Sequence, residues 1–339
     1  MEEKHSLARL ESALRGAQAP VILPHNDPDP DAIASAAALL YLLESHFALQ
    51  ATIRYSGIIG RAENRALVNY LDRDIEGLHS LPQAPVILVD TQPGAGNNPL
   101  VDGTGVVAVF DHHPLRTATA QVPFADVRPD VGASATILTR YLQAAALTPP
   151  TRLATALFYG IKSDTMALGR NVADADVEAY VYLQALVDPD ALIEIEQAQV
   201  PAAYFRSINA ALEAARVYGN VLIADVGVIA YPDLVGELAD WLLRLQGVDW
   251  VICMGVFRNS LRLAVRTRRH DGGAGHMAQT VVAHDGMAGG HGTMAGGQIR
   301  LNGLAAPTVS ARLRRRILRY FGIPSSAGRR LMTLTGEKE

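Results

Sequence analysis

At 339 residues, with 49% hydrophobic and 19% charged side chains, the chain has the length of two globular domains and too much apolar content for a disordered polymer. A formal net charge of -4 removes any whole-molecule bias towards nucleic acid or membrane, and the single cysteine, Cys253, excludes an internal disulfide framework and fits a reducing compartment. No apolar run approaches the ~18 residues of a membrane helix, and the opening Met-Glu-Glu-Lys-His has no apolar signal core, so a cytoplasmic protein without a membrane partner is expected.

In chain order, the apolar run Val21–Leu23 reads as a buried strand and the Ala/Leu-rich run Ala32–Glu44 as a helix. Between them stand His25, Asp27, Asp29 and Asp31, interleaved with Pro28 and Pro30. The prolines keep the segment extended, and like charges this close repel unless a cation sits among them. A mixed His/Asp set suits Mn, Zn or Fe better than an all-oxygen calcium cage. The ordinary alternative is a helix start rich in capping aspartates. Strands are expected again at Ala51–Tyr55, Pro85–Asp90 and Val106–Asp111, with a helix near Arg61–Leu71. Continuous apolar runs of this kind belong to strands covered on both faces, hence to a parallel sheet with helices on each side. His25, Asp90 and Asp111 each fall at the carboxyl end of a strand, the edge where ligands collect.

Helices follow at Ser134–Ala146, Arg152–Ile161 (running into Lys162-Ser-Asp164-Thr165) and Asp174–Val187, and only helix is read from about Asp188 to Gly219. A second β/α unit starts at Val221 and includes a helix (Leu234–Leu245) and strands Trp250–Phe257 and Leu261–Arg266. Residues 271–297 are dense in glycine, as in a flexible loop, and the Arg-rich run Ser310–Tyr320 repeats Leu313, Ile317 and Phe321 every four residues, which favours an amphipathic helix with a solvated basic face. The expected organisation is 1–188 catalytic and metal-binding, 189–219 a helical connector, and 220–339 a smaller α/β substrate-binding domain, with the active site in the cleft between them.

The order His25-x3-Asp29-x-Asp31, strand-end Asp90, then Asp111-His112-His113, then Gly160-x3-Asp164-Thr165 resembles the DHH phosphoesterase family. Gly289-Gly-His291-Gly-Thr-Met-Ala295-Gly-Gly297 is similar to the signature of that family's associated C-terminal domain, and the nearest branch is that of the stand-alone nanoRNases and pAp-phosphatases. The resemblance implies two divalent ions, preferably Mn²⁺, with Mg²⁺ or Co²⁺ as substitutes. His25 and Asp29 would hold one, Asp31, His112 and Asp164 the other, and Asp90 would bridge them. It further implies a donor role for His113, orientation of the histidine pair by Asp111, and substrate contacts from Gly289, Gly290, His291, Arg266 and Arg116. Adjacent histidines on an extended chain point to different sides, so one can ligate while the other faces substrate. Pro30 stands where relatives commonly carry glycine; Asp27 replaces a common asparagine and is read as a helix cap rather than a tuning carboxylate.

The function implied is two-metal hydrolysis of short oligonucleotides or 3′,5′-bisphosphate nucleotides. A cyclic-dinucleotide phosphodiesterase or a pyrophosphate/polyphosphate hydrolase uses the same centre, and a non-catalytic nucleotide sensor would be expected to have lost ligands, whereas every matched position is filled. A homodimer is the base-rate expectation for any oligomer.

Overall fold

The computed structural model describes residues 2–269 and 272–334. It divides into two compact units, Met1–Gln199 and Val200–Glu339. The first contains α1 (Glu2–Leu14), β1 (Val21–Pro24), α2 (Pro30–His46), β2 (Thr52–Tyr55), α3 (Ala62–Leu71), β3 (Ile75–Gly77), β4 (Val86–Val89), β5 (Val106–Asp111), β6 (Phe124–Val127), α4 (Ser134–Ala144), α5 (Thr151–Asp164), α6 (Asp174–Gln184) and α7 (Pro189–Glu196). Its strands form one six-stranded sheet in the order β3-β2-β1-β4-β5-β6 with every pairing parallel. The parallel sheet read from the apolar runs is therefore present, and β1, β4 and β5, the strands leading to His25, Asp90 and His112, are consecutive within it.

The covering of that sheet differs from expectation. Ile22, Ile87, Val89 and Phe110 face a large core shared with Leu10, Leu39, Leu42, Leu138, Leu157 and Leu183, residues of the helices. The opposite face, Leu23, Val86, Leu88 and Val109, carries a smaller cluster closed by Leu78, Leu100 and Val122, and no helix residue among those described contributes to it. An apolar run reports that both faces are dry, and loops can keep a face dry as well as a helix does. β3 and β6 escaped the sequence reading because they are three and four residues long, with partly exposed residues throughout or after the first position.

The second unit contains α8 (Ala202–Ala214), β7 (Arg216–Tyr218), β8 (Val221–Val228), α9 (Leu234–Leu242), β9 (Trp250–Phe257), β10 (Ser260–Thr267), α10 (Ala274–Val282), β11 (Met287–His291), β12 (Met294–Arg300), α11 (Ala306–Tyr320) and β13 (Arg329–Arg330). These strands make a mixed seven-stranded sheet, β11-β12-β10-β9-β8-β7-β13, in which only β8 and β9 run parallel. One face packs α10 and α11 through Met277, Val281, Leu313 and Ile317; the other packs α8 and α9 through Ala211, Leu238 and Leu242, with Cys253 buried among them. The sheet β7 lies inside the stretch read as helix only, and that stretch is shared between the two units: α7 belongs to the first, α8 and β7 to the second.

The glycine-rich segment is not a flexible loop. Its described residues, 272–297, form α10 and the β11–β12 hairpin; Asp271 lies outside the described residues. Gly290 has φ +145°, and a Cβ there would collide with the backbone of Met294 and Ala295 on the paired strand, so the glycine is what lets the hairpin close. Cys253 is fully buried and its thiol is pushed up to about 12 by that burial, which fits a packing residue and not a nucleophile.

Candidate metal centre

Six of the eight expected metal and catalytic residues follow β1, β4 and β5 or end one of them. β1 finishes at Pro24, and the chain turns through His25 to Asp29, the N-cap of α2, whose Oδ1 accepts from the Ala32 amide at 3.0 Å. Pro30 occupies the first helical turn, where its missing N–H costs nothing. Asp31 points into the protein with no exposure. Its Oδ2 accepts from the Ser134 amide and its Oδ1 from the Ala135 amide, both at 2.7 Å, so it sits on the N-terminal end of α4. Asp90, one residue beyond β4, is 2% exposed and held at φ +58°, a conformation that costs a non-glycine residue energy and marks a position fixed by its surroundings. The Ser134 hydroxyl donates to its Oδ1 at 2.9 Å. Asp164 is the last residue of α5, and Gly160 one turn earlier lets α5 lie close on α2: a Cβ there would stand 3.2 Å from the Asp31 Cα and 3.3 Å from the Ala135 Cβ.

These elements converge on Asp90. His25 Nε2 lies 3.4 Å from Asp90 Oδ2 and 3.7 Å from Asp29 Oδ1; His112 Nε2 lies 3.4 Å from Asp90 Oδ1 and 3.4 Å from Asp164 Oδ2. Ligand-capable atoms of His25/Asp29/Asp90, of Asp31/His112/Asp164 and of Asp90/His112/His113 fall within 4.8 Å of one another in each set. The first two sets are the two groups that the family resemblance implies, with Asp90 adjoining both. His25 and His112 each turn Nδ1 to a backbone carbonyl, Asn26 at 2.8 Å for His25 and Val131 at 3.4 Å for His112. A proton on Nδ1 then leaves the Nε2 lone pair facing the carboxylates, which is how metal-binding imidazoles are oriented. His112 Nε2 is buried and has no hydrogen-bond partner. A buried acceptor facing only carboxylates is paired by a cation or a proton and by nothing else nearby, so the donor set of imidazole and carboxylate, without thiolate, fits a divalent cation.

Charge crowding has the same origin. Burial, then the charges of Asp90 and Asp29, push the Asp31 carboxyl well above its ordinary range; burial and the charges of Asp29, Asp31 and Asp90 do the same to Asp164. Burial works against a charged His25, but its hydrogen bonds to Asp29 and Asp90 outweigh it and hold the imidazole well above its usual value. Burial likewise opposes the His113 cation, and the Asp111 hydrogen bond and the Asp90 charge overcome it, raising the ring to about 9. Asp111 is itself fully buried; burial raises its carboxyl, and His113 more than reverses this, leaving it below the usual carboxylate range.

The two adjacent histidines do not point to opposite sides. β5 ends at Asp111 and the chain leaves the extended form, so the rings lie 4.4 Å apart between centroids and both approach Asp90, His113 Nδ1 at 3.7 Å. His113 Nδ1 meets Asp111 Oδ1 at 2.8 Å, and Asp111 Oδ2 accepts from Gln92 Nε2 at 2.6 Å. Asp27 is not a helix cap: with φ +55° its Oδ1 accepts from the Ile58 amide at 2.7 Å, and Asp29 is the cap.

Gln92 and Ser134 shape the centre and were not singled out by sequence. Gln92 is 1% exposed and its Oε1 also accepts from the Arg116 amide and the Thr119 hydroxyl, each at 2.8 Å. The Arg116 side chain is exposed. Arg266, on β10 of the second unit, makes an ion pair with Asp240 of α9, Nε to Oδ1 at 2.6 Å. Gly289 and Gly290 are strand residues of β11; the His291 side chain lies outside the described atoms.

A doubly bordered His/Asp cluster at the carboxyl edge of a parallel sheet defines a phosphoesterase-like α/β protein. Residues 20–161 match the DHH family, N-terminal domain, and the chain belongs to that family. It is 33% identical over 336 residues to the uncharacterized protein MJ1633 of Methanocaldococcus jannaschii, covering 95% of this chain and 68% of that protein. The fold is shared with an exopolyphosphatase-related protein of Bacteroides fragilis, TM-score 0.65 at 14% identity over 93% of this chain and 96% of that one. RecJ of Thermus thermophilus, solved with Mg²⁺, aligns over 94% of this chain and 52% of its own at 15% identity and a TM-score of 0.46. Among the described residues no helix is long and apolar enough to cross a membrane.

Proposed function

We propose that the chain is a metal-dependent phosphodiesterase or phosphomonoesterase acting on small nucleotides, short oligonucleotides or 3′,5′-bisphosphates, in the manner of the nanoRNase and pAp-phosphatase branch. The observation that carries this reading is the pair of ligand sets adjoining Asp90, with both histidines locked so that Nε2 faces carboxylates. His25 and Asp29 would hold one cation and Asp31, His112 and Asp164 the other, with Asp90 beside both; Mn²⁺ is preferred. Bound there, divalent cations lower the pKa of a water and neutralise phosphoryl oxygens.

The chain's own residues do the remainder. His113, oriented by Asp111 at 2.8 Å from its Nδ1, donates a proton to the departing oxygen. Asp111 fixes which ring nitrogen faces it, and Gln92 fixes Asp111. In the second unit, the exposed edge of the sheet at β11 and β12 supports a nucleotide rather than a bare polyphosphate. Gly296 and Gly289, both exposed, lie side by side across β12 and β11, next to Ala264 of β10, which is buried. A Cβ at Gly289 would meet nothing within 4 Å. Arg262 and Arg266 flank this row on β10, so a flat base can lie on it with phosphates at its margins.

The test is turnover with added Mn²⁺ on a competitive mixture of a 5′-phosphorylated dinucleotide, a longer oligonucleotide, a 3′,5′-bisphosphate, a cyclic dinucleotide and pyrophosphate. Preference for the dinucleotide or bisphosphate is expected. Preference for pyrophosphate would keep the metal centre and remove the nucleotide reading; metal binding with no turnover of any substrate would make the protein a sensor.

A further inference from the structure

The net charge of -4 conceals two opposite halves. Residues 1–199 carry 13 Arg and Lys against 24 Asp and Glu, whereas residues 200–339 carry 17 against 10. The second unit is therefore basic, and charge asymmetry between halves is a sign of a polyanionic partner. The excess is concentrated on α11. At 100° per residue, Arg312, Arg315, Arg316 and Arg319 fall on one side of that helix, while Val309, Leu313 and Ile317 are buried on another.

Two of the four arginines have internal work. Arg316 donates to the Val281 and Val282 carbonyls at the end of α10 and to Asp285, and Arg312 approaches the same Asp285 at 3.2 Å. Arg315 and Arg319 are exposed and stand one turn apart, each with another arginine three residues away, an arrangement that repels within the helix and is relieved by an external anion. Asp285 is the acidic residue paired to this stripe, and it is engaged by the two inner arginines. At the end of the stripe lie two exposed rings, Tyr320 (36% exposed) and His276 of α10, with centroids 6.2 Å apart. The stripe from Arg312 to Arg319 is about 10 Å long at 1.5 Å per residue, long enough to meet more than one phosphate of a strand.

We propose that this outer side of α11, with Arg315 and Arg319 as phosphate contacts, binds single-stranded nucleic acid, and that Tyr320 and His276, on the α10-facing side at the end of the helix, serve as stacking surfaces. Guanidinium groups pair phosphate in a bidentate fashion, and rings stack on unpaired bases irrespective of sequence. An anionic membrane surface is disfavoured because the outer side of α11 presents no Leu, Ile or Phe to insert; its apolar residues are packed inward. This face uses none of the residues placed in the metal centre, and it stands whether or not the proposed reaction does. It would let a protein that cleaves only short pieces remain associated with longer strands.

The experiment is fluorescence anisotropy of an unstructured, labelled RNA of about twenty nucleotides, titrated with the full chain in chelator over a range of salt. For R315E/R319E the dissociation constant is expected to rise tenfold or more, and the salt slope to fall by about 1.4, at about 0.7 per phosphate contact in single strands. Tyr320→Ala is expected to weaken binding with the slope unchanged. Turnover of the dinucleotide by R315E/R319E is expected to match the parent, so loss of all turnover in the parent would sink the proposed reaction and leave the binding result standing. Unchanged RNA affinity and slope in R315E/R319E would overturn the nucleic-acid face. So would a parent that binds phosphatidylserine vesicles, loses them in that variant, and binds RNA equally well in both.

Discussion

Replacement of Gln92 by leucine tests how much of the centre rests on one neutral side chain. The carboxamide makes three strong contacts: Nε2 to Asp111 Oδ2 at 2.6 Å, and Oε1 from the Arg116 amide and the Thr119 hydroxyl at 2.8 Å each. Leucine fills the space and satisfies none of them. Each buried polar group left without a partner costs roughly 1–3 kcal/mol. Taking the lower figure for three groups, because the 113–119 segment can admit water, the loss is about 3 kcal/mol. For a unit of this size that lowers the melting temperature by about 6–12 °C. Gln92→Glu separates packing from charge. It keeps an acceptor for Arg116 and Thr119 but sets a second carboxylate against Asp111. The new carboxyl's folded pKa is raised by that neighbour, so Gln92→Glu is destabilised at neutral pH and recovers as pH falls through the raised value. Thermal melting by circular dichroism at pH 5 and pH 8, with the imidazole ¹⁵N signals of His113 as reporter of its tautomer, reads both effects. A Gln92→Leu protein that melts within 1 °C of the parent, with His113 unchanged, would refute the reasoning.

Asp90→Ala is expected to abolish binding of both cations rather than one, measured as stoichiometry by calorimetry with Mn²⁺; retention of one full-affinity site would show that Asp90 is not shared. Gly160→Val should lower stability by roughly 1–3 kcal/mol by forcing α5 off α2, since its Cβ would already press on Asp31 and Ala135 at 3.2 and 3.3 Å; denaturant unfolding checks this, and a neutral result would mean the helices can part freely. Glu3 is held below the usual carboxylate range: burial opposes its charge, and its backbone hydrogen bond with Arg140 and Arg128 prevails. Its stabilisation is therefore present above the unfolded value of 4.5 and lost as pH falls through the lowered folded value, so the stability difference between parent and Glu3→Gln should close once pH is below that folded value. His291→Ala should raise KM for a dinucleotide with little change in kcat; no change in either would remove the β11 hairpin from substrate binding.

The skeleton of the site was legible because strand-end charge is conspicuous. Asp90 and Asp111 each interrupt a run of apolar residues, and a carboxylate that ends such a run has to be accounted for. The parallel sheet was legible from the same runs. Gln92 and Ser134 were not, since a neutral amide or hydroxyl breaks no hydrophobic period and is common in any turn. The pose of His113 depended on where β5 stops, and one residue's difference in a strand end reverses the direction of a side chain. The β11–β12 hairpin was hidden because glycine and alanine, which lack the branched side chains that announce strands, are required there by close backbone approach. Arginine on α11 was visible as a run, but its arrangement into inner pairs with Asp285 and outer exposed positions is a property of packing.

The amino end of α4 deserves a last consequence. Ser134 and Ala135 hold Asp31 by their amides, and the Ser134 hydroxyl holds Asp90. One helical turn thus grips a carboxylate from each ligand set and sets the distance between them. During synthesis, the chain emerging as far as His113 already possesses every expected ligand except Asp164, yet nothing fixes their spacing until residues 134 and 135 arrive and the helix forms. Assembly of the centre therefore waits on α4, which follows the last strand of the parallel sheet in the chain.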